Sequence, residues 1–286
     1  MDDDSGTDTV LAEVADGVGI ITLNRPERRN ALHADMYEAV PRLIERFVAD
    51  PGVGCIMVTG SGTAFCSGGD VAGGASSRAA AGEAPGTGPS PGAGPTPDEL
   101  ARQQGRVLAH NARMVELLHH CPKVTLAALP GPAVGAGMSI ALATDLRIAA
   151  GSTTLIPGWG QLGFSGDFGG TWFLTRLVGP SRALEILVDN VAVDAETALA
   201  LGLVNRVVPD DELRSAALAW ARSIAAGPGT AFRYFKENVL QAERLPLSEA
   251  LPAESERMAR SAHTEDHRRA VARWLEEARA RRAERE

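Results

Sequence analysis

Two short glycine-rich tracts, each directly after an apolar strand-like run, constrain this chain more than any other feature. The first, Ala64-Phe65-Cys66-Ser67-Gly68-Gly69-Asp70, follows Cys55-Ile56-Met57-Val58-Thr59-Gly60. The second, Gly131-Pro132-Ala133-Val134-Gly135-Ala136-Gly137-Met138, follows Val124-Thr125-Leu126-Ala127-Ala128-Leu129. Residues with little or no side chain leave backbone N–H groups open to a ligand. Two such turns brought face to face can hold one carbonyl oxygen between two N–H donors, which is an oxyanion hole. Each tract alone also has the composition of an ordinary tight turn between strand and helix.

The chain has 286 residues, 44% hydrophobic and 22% charged, and carries a net charge of −8. That is a globular composition, large enough for a substantial core, and its acidic balance argues against a nucleic-acid surface. The three cysteines, Cys55, Cys66 and Cys121, stand singly, as expected of reduced thiols and a cytoplasmic location. No CxxC pair or His/Cys cluster points to a metal. The acidic start, Met1-Asp2-Asp3-Asp4, is unlike a secretory leader, and no apolar run reaches membrane-spanning length, so no membrane association is expected.

Periodicity and turn chemistry predict a hairpin, Val10–Val14 with Gly19–Leu23, across Asp16-Gly17, then a helix over Ala34–Ala49 and a buried strand over Cys55–Thr59. Residues 72–97 are dominated by Gly, Ala, Pro and Ser and read as a low-complexity insert, either a tolerated surface insertion or an active-site lid. A single helix is predicted over Asp98–His120. Strands follow at Val124–Leu129, Leu146–Ala149 and Thr154–Ile156, with a helix over Ala136–Ala143. Helices are predicted over Thr171–Leu177 and Ser181–Val188, Asp194 as an N-cap, and a strand over Leu203–Val208. Beyond Pro209 the pattern is all helical: Asp210–Ala226, Thr230–Leu240, Pro246–Arg260 and Thr264 onward. The organisation is therefore a short acidic N-terminus (1–9), a mixed α/β core (10–208) and a C-terminal helical region (209–286).

Five segments, in order, resemble the motifs of the crotonase, or enoyl-CoA hydratase/isomerase, superfamily. Ile21-Thr22-Leu23-Asn24-Arg25-Pro26 with Asn30-Ala31-Leu32 is similar to its LNRP…NAL motif, and Ala64–Val71 to its AFCAGADL motif. Gly131–Asp145 resembles its second glycine turn and helix, Gly169-Gly170-Thr171 with Arg176-Leu177-Val178-Gly179 its GGT…RLVG segment, and Gly202-Leu203-Val204-Asn205 its GLVN turn. The resemblance implies an α/β fold, a crotonase-like ββα spiral with a C-terminal α-helical trimerisation region. It implies a homotrimer or a hexamer built as a dimer of trimers, and an acyl-CoA thioester substrate. No separate cofactor is implied, since coenzyme A enters as part of the substrate. By the same motifs, the backbone N–H groups of Gly69 and Ala136 are the oxyanion donors. Arg28 or Arg29 would approach coenzyme A phosphates, the alternative being a solvated surface pair. Ser67, Gly69, Asp70 and Val71 would surround the adenine and pantetheine. The basic C-terminal helix, with Trp274 at the family's FLEKR phenylalanine, reads as a solvated face.

The chain departs from the hydratase pattern at the catalytic carboxylates. Where family hydratases carry two glutamates sharing a water, Ser139 and Trp159 stand here. Ser139, Trp159 and Phe168 are read as walls of the acyl pocket. Asp167, in Gly166-Asp167-Phe168-Gly169-Gly170-Thr171-Trp172, resembles the aspartate of ring-1,2-epoxyphenylacetyl-CoA isomerases and related enoyl isomerases, the proposed base in those enzymes. It is either a base desolvated by Trp159, Phe164, Phe168 and Trp172, or the N-cap of the helix that follows. One carboxylate can move one proton between two carbons of an enolate, which favours isomerisation over hydration. The alternatives are hydration by an atypical arrangement and a silent acyl-CoA-binding paralogue. The six histidines are expected on helix surfaces, and Asp70 and Asp145 in structural roles.

Overall fold

The computed structural model describes residues 7–70 and 96–283. A hairpin of β1 (Val10–Ala15) and β2 (Val18–Leu23) turns at Asp16-Gly17, both at positive φ. Helix α1 (Ala34–Ala49) leads to β3 (Cys55–Gly60). Helices α2 (Pro97–Asn111) and α3 (Arg113–His120) precede β4 (Val124–Leu129), the two-residue β5 (Ala133–Val134) and α4 (Ala136–Ala143). Strands β6 (Leu146–Ala150) and β7 (Thr154–Ile156) lead to α5 (Gly170–Val178) and α6 (Pro180–Val188). Then come β8 (Val193–Asp194), α7 (Ala195–Ala200) and β9 (Arg206–Val208). The chain closes with α8 (Leu213–Ala225), α9 (Gly229–Ala242), α10 (Leu247–Ala262) and α11 (Glu265–Ala283).

The six-stranded sheet has the order β1-β2-β3-β4-β6-β9 and is parallel except at the β1–β2 hairpin. Its central strands are apolar on both faces, and their period of two divides one sequence between two cores. Ile56 and Val58 of β3 and Ala127 and Leu129 of β4 face the core shared with α1, α3, α4 and α5. Cys55 and Met57, with Leu126 and Ala128, face Leu213, Ala217 and Ala221 of α8. Helix α8 thus covers the back of the sheet. The change of composition at Pro209 marks a change of secondary structure, while the first helix beyond it still packs on the strands.

Several boundaries differ from the sequence reading, four of them with a local physical cause. The helix expected over Asp98–His120 breaks at Ala112, because α3 buries Met114, Val115 and Leu118 while α2 buries nothing. Helix α2 starts at Pro97 behind a Thr96–Glu99 capping box, so the 72–97 insert ends in an ordered helix start; the rest of it lies outside the described residues. The strand expected over Leu203–Val208 is shortened to Arg206–Val208 because the Gly202–Asn205 turn is fastened to Arg147. The Asn205 N–H donates to the Arg147 carbonyl (2.9 Å), the Arg147 N–H to Asn205 Oδ1 (2.8 Å) and Arg147 Nε to the Leu203 carbonyl (2.6 Å). Finally, Asp210–Glu212 forms a 3-10 turn ahead of α8. Asp145 ties the C-terminal helices to the core. Its Oδ2 accepts from the Thr125 N–H (2.8 Å), Thr125 Oγ1 (2.9 Å) and Lys236 Nζ of α9 (2.8 Å). Among the described residues, no helix is long and apolar enough to cross a membrane.

Candidate active site

The two glycine tracts meet. Cys66 and Ala133 form a parallel bridge: the Cys66 N–H donates to the Pro132 carbonyl (3.3 Å) and the Val134 N–H to the Cys66 carbonyl (2.9 Å). The close approach requires glycine at two places. A Cβ on Gly137 would lie 2.3 Å from the Cys66 carbonyl oxygen. Gly68 has φ +86°, and a Cβ there would lie 2.8 Å from the Val134 oxygen and 3.5 Å from the Ala136 nitrogen.

The same pairing frees the two expected donors. Leu32 bridges Gly69 through its neighbours: the Leu32 N–H donates to the Gly68 carbonyl (2.8 Å), and the Asp70 N–H donates to the Leu32 carbonyl (3.3 Å). In such a bridge the N–H of Gly69 itself points the other way, and Gly69 is open to solvent. Ala136 is the first residue of α4, whose opening N–H groups have no carbonyl within the helix to bond and carry the positive end of its dipole. Among the described residues neither N–H donates to a protein acceptor.

The loop before α1 is stapled beneath the first tract. Buried Asn30 donates Nδ2 to the Ser61 (2.9 Å) and Ala64 (2.8 Å) carbonyls and accepts from the Arg25 N–H (2.8 Å). Arg25 donates to the Ala31 carbonyl (2.7 Å) and pairs with Asp70 (3.1 Å). Ser67 donates its N–H to the Arg29 carbonyl (2.9 Å) and its hydroxyl to the Arg28 carbonyl (3.2 Å). Arg28 and Arg29 therefore stand beside the tract with exposed guanidinium groups that pair with no carboxylate among the described residues. Val71 lies outside the described residues. Arg25 and Asn30 were visible in the sequence as motif letters, without a role; their partners come from segments 31–45 residues away.

Asp167 lies in a segment of unusual backbone. Gly166 (φ +100°), Phe168 (φ +51°) and Gly169 (φ +72°) surround it, the middle one a bulky residue in the left-handed region. Its carboxylate does not cap α5. That helix has Gly169 at its N-cap and no side-chain cap, and the Gly170 N–H bonds the Asp167 main-chain carbonyl (3.0 Å). Instead Asp167 Oδ1 accepts a hydrogen bond from Trp159 Nε1 (2.9 Å). Trp159 is buried, and its Nε1 lies 3.7 Å from where a Cβ on Gly135 would be, so the Asp167–Trp159 pair adjoins the entry to α4. Burial pushes the Asp167 carboxyl above the ordinary carboxylate range, and the Trp159 N–H draws it partway back. Of the expected desolvating neighbours, Trp159 and Phe168 are buried at the site, whereas Phe164 is 61% exposed. Trp172 faces His119 and Arg176 (3.6 Å from guanidinium carbon to ring centre) on the far side of α5.

Ser139 is fully buried, and its hydroxyl lies between the carbonyls of Gly135 (3.3 Å) and Asp167 (3.2 Å). It ties the Asp167 segment to the first turn of α4 and has no basic partner. Trp159, read from the sequence as a wall, is in addition the donor that orients Asp167; a buried indole N–H requires a partner, and that requirement was the available signal. Tyr37 of α1 was missed. Its ring packs on Phe168 (6.1 Å between centroids), and its phenol is pushed up to about 12, first by burial and then by Cys66, Asp167 and Asp70. It stays protonated at neutral pH. One histidine departs from the expected surface setting. His119 is half-buried against Trp172 and Phe173, its Nε2 lacks a partner, and burial with nearby cations lowers its pKa to about 4. Among the described residues no three His, Cys, Asp or Glu side chains gather as a metal site would need.

Residues 13–87 and 94–284 match the profile of the family described as Enoyl-CoA hydratase/isomerase. A Rhodobacter capsulatus protein named "Probable enoyl-CoA hydratase" is 32% identical over 94% of this chain and 95% of its own length. The 1,2-epoxyphenylacetyl-CoA isomerase of Escherichia coli is 30% identical over 93% of this chain and 95% of its own length. A Thermobifida fusca protein crystallised with acetoacetyl-CoA superposes with a TM-score of 0.76 at 33% identity, covering 90% of this chain and 96% of that one.

Proposed function

Because the chain belongs to the enoyl-CoA hydratase/isomerase family, with its crotonase fold, we propose that it is an isomerase of enoyl-CoA or epoxy-aryl CoA esters in which Asp167 moves the proton. The observation that carries this reading is the Asp167 carboxylate, partly desolvated and held by Trp159 beside the entry to α4. The positions of the usual hydratase glutamates hold Ser139 and Trp159, and neither can activate water as a carboxylate does. The thioester oxygen is bound by the N–H groups of Gly69 and Ala136. Asp167 removes a proton from the acyl carbon chain, and the negative charge passes to that oxygen. Each preorganised donor is worth roughly 2.7–4 kcal/mol by analogy with measured oxyanion holes. Asp167 then returns the proton to another carbon, so the double bond has moved and no water is consumed. A carboxyl whose pKa is raised by burial serves both steps, since it binds the proton long enough to deliver it.

Arg28 and Arg29 take the coenzyme A phosphates, and the backbone of Ser67, Gly69, Asp70 and Val71 takes the adenine and pantetheine. No cofactor is required beyond the coenzyme A of the substrate. Assembly as a homotrimer or hexamer is supported by α10, which buries no residue and exposes Leu247, Leu251 and Met258. The three buried, unpaired cysteines are compatible with a cytoplasmic location. The deciding experiment is turnover of a panel of 2-enoyl, 3-enoyl and epoxy-aryl CoA esters by the wild type and Asp167→Asn. Isomerisation abolished in the variant is the expected result. Hydration of 2-enoyl esters untouched by the substitution would sink the reading, and tight ester binding without any turnover would leave an acyl-CoA-binding paralogue.

A further inference from the structure

The proton shuttle leaves one polar side chain of the site without a task. Tyr37 stands in the first turns of α1, five residues after Leu32, whose backbone bridges Gly69. Its ring packs against Phe168, next to Asp167, and its phenol is within electrostatic reach of Cys66, Asp70 and Asp167. The side chain thus lies between the first glycine tract and the Asp167 segment. It is half-buried, and although it also lines a cavity of about 540 Å³ with Ala34, Glu38, His110 and Arg113, that cavity includes neither glycine tract nor the Asp167 segment, so the side of Tyr37 that meets the site is the one packed on Phe168. Among the described residues its hydroxyl has no hydrogen-bond partner. Asp70 is already paired with Arg25, and Asp167 with Trp159.

An acyl group made only of carbon and hydrogen, seated against this hydroxyl, would exclude water from it and return no hydrogen bond. Leaving a buried donor unmet costs affinity, whereas an oxygen on the acyl group meets it. We propose that Tyr37 sets substrate choice: its hydroxyl donates to an oxygen borne by the acyl group itself, an epoxide, hydroxyl or keto oxygen beyond the thioester, and so favours oxygenated acyl-CoA esters over hydrocarbon ones. The proposal rests on the reading of this site as the acyl-CoA site. Tyr37 keeps its proton throughout, and the proton that Asp167 takes from one carbon still returns to another, so the reaction balances without it.

The test is calorimetric binding of a saturated six-carbon acyl-CoA and its 3-hydroxy counterpart to the full chain. Neither ester requires turnover. The wild type is expected to bind the hydroxy ester roughly tenfold more tightly, the scale of one hydrogen bond to a partly buried group. Tyr37→Phe is expected to bring the two dissociation constants within about twofold by weakening the hydroxy ester alone. Tyr37→His, which keeps a ring donor, retains part of the preference and guards against loss of fold in the first variant. Equal affinities in the wild type, or a preference retained in Tyr37→Phe, overturn the proposal. So does equal weakening of both esters, which would mark Tyr37 as a packing residue. If neither ester binds, the acyl-CoA reading falls with it. Undiminished turnover in Asp167→Asn would remove only the base and leave the Tyr37 preference standing.

Discussion

The cradle formed by the two glycine turns and the Asp167 pocket adjoin at the start of α4 and are built by opposite means. The cradle consists of main chain. Its proposed donors are N–H groups, and the residues around them are small so that two turns can approach within a Cβ's width. The pocket consists of side chains, a carboxylate fixed by one indole N–H and a serine that ties the two segments together. A main-chain donor does not depend on side-chain identity, so Ala136 can serve as a proposed donor as well as glycine would. In the pocket each side chain has its own partner: the Trp159 indole N–H meets the Asp167 carboxylate, and the Ser139 hydroxyl lies between two carbonyls.

That contrast can be broken most severely at the proposed base. Asp167→Asn is expected to lower turnover by roughly 10²–10⁴, the usual worth of a positioned general base, with ester binding kept. Stability should move the other way. The folded state raises the Asp167 pKa, so it holds that proton more tightly than the unfolded chain does. The carboxylate therefore costs stability as pH rises through the window between its ordinary and raised values, and the cost persists at neutral pH. Thermal melting of Asp167→Asn at pH 7 should give a midpoint no lower than that of the wild type.

The cradle breaks next. Gly68→Ala places a side chain at φ +86° and 2.8 Å from the Val134 oxygen, which moves the tract holding the Gly69 donor. Steady-state kinetics should show kcat reduced by roughly 10²–10³, the cost of one oxyanion donor, with a smaller change in KM. A loss confined to KM would show that the cradle binds ground state and transition state alike.

Trp159→Phe sharpens the comparison by keeping an aromatic ring in the pocket while removing its hydrogen bond. The indole N–H favours the ionised carboxylate, so its loss raises the Asp167 pKa further. The acid limb of kcat/KM, already above the ordinary carboxylate range, should move to higher pH, and turnover at neutral pH should fall by roughly tenfold. A limb that stays in place would separate Trp159 from the base. The smallest effect is expected at the rim. Arg28→Ala and Arg29→Ala should each raise KM by only a few-fold with kcat unchanged, and added salt should shrink the difference, because these are exposed charges.

Much of the cradle was legible in the sequence because its requirement is local. A strand, a tight turn and a helix start call for small residues at fixed spacing, and that spacing survives as a pattern. The α/β order, the family and the two glycine turns could therefore be read before any coordinates. Asp167 was legible only as one carboxylate with two fates, cap or base. The structure excludes the cap, because the carboxylate meets the Trp159 indole, eight residues earlier in the chain, and α5 has no side-chain cap; the base is the reading proposed above. Tyr37 was not legible at all, since its distance from Asp167 along the chain is 130 residues and nothing local marks an amphipathic helix's tyrosine as part of a site.

By itself, then, the sequence determined the backbone side of this protein: which strands are apolar on both faces, where the chain must turn tightly, and where N–H groups are left over. Those properties follow from covalent geometry and from residues near one another in the chain. Only the tertiary structure decided the side-chain polarity of the site. It turned the Asp167 carboxylate from the helix to the indole, sank Ser139 between two carbonyls, carried α8 back onto the sheet and brought Tyr37 beside Phe168. Those outcomes depend on desolvation and on partners supplied by distant segments, and packing alone brings such partners together.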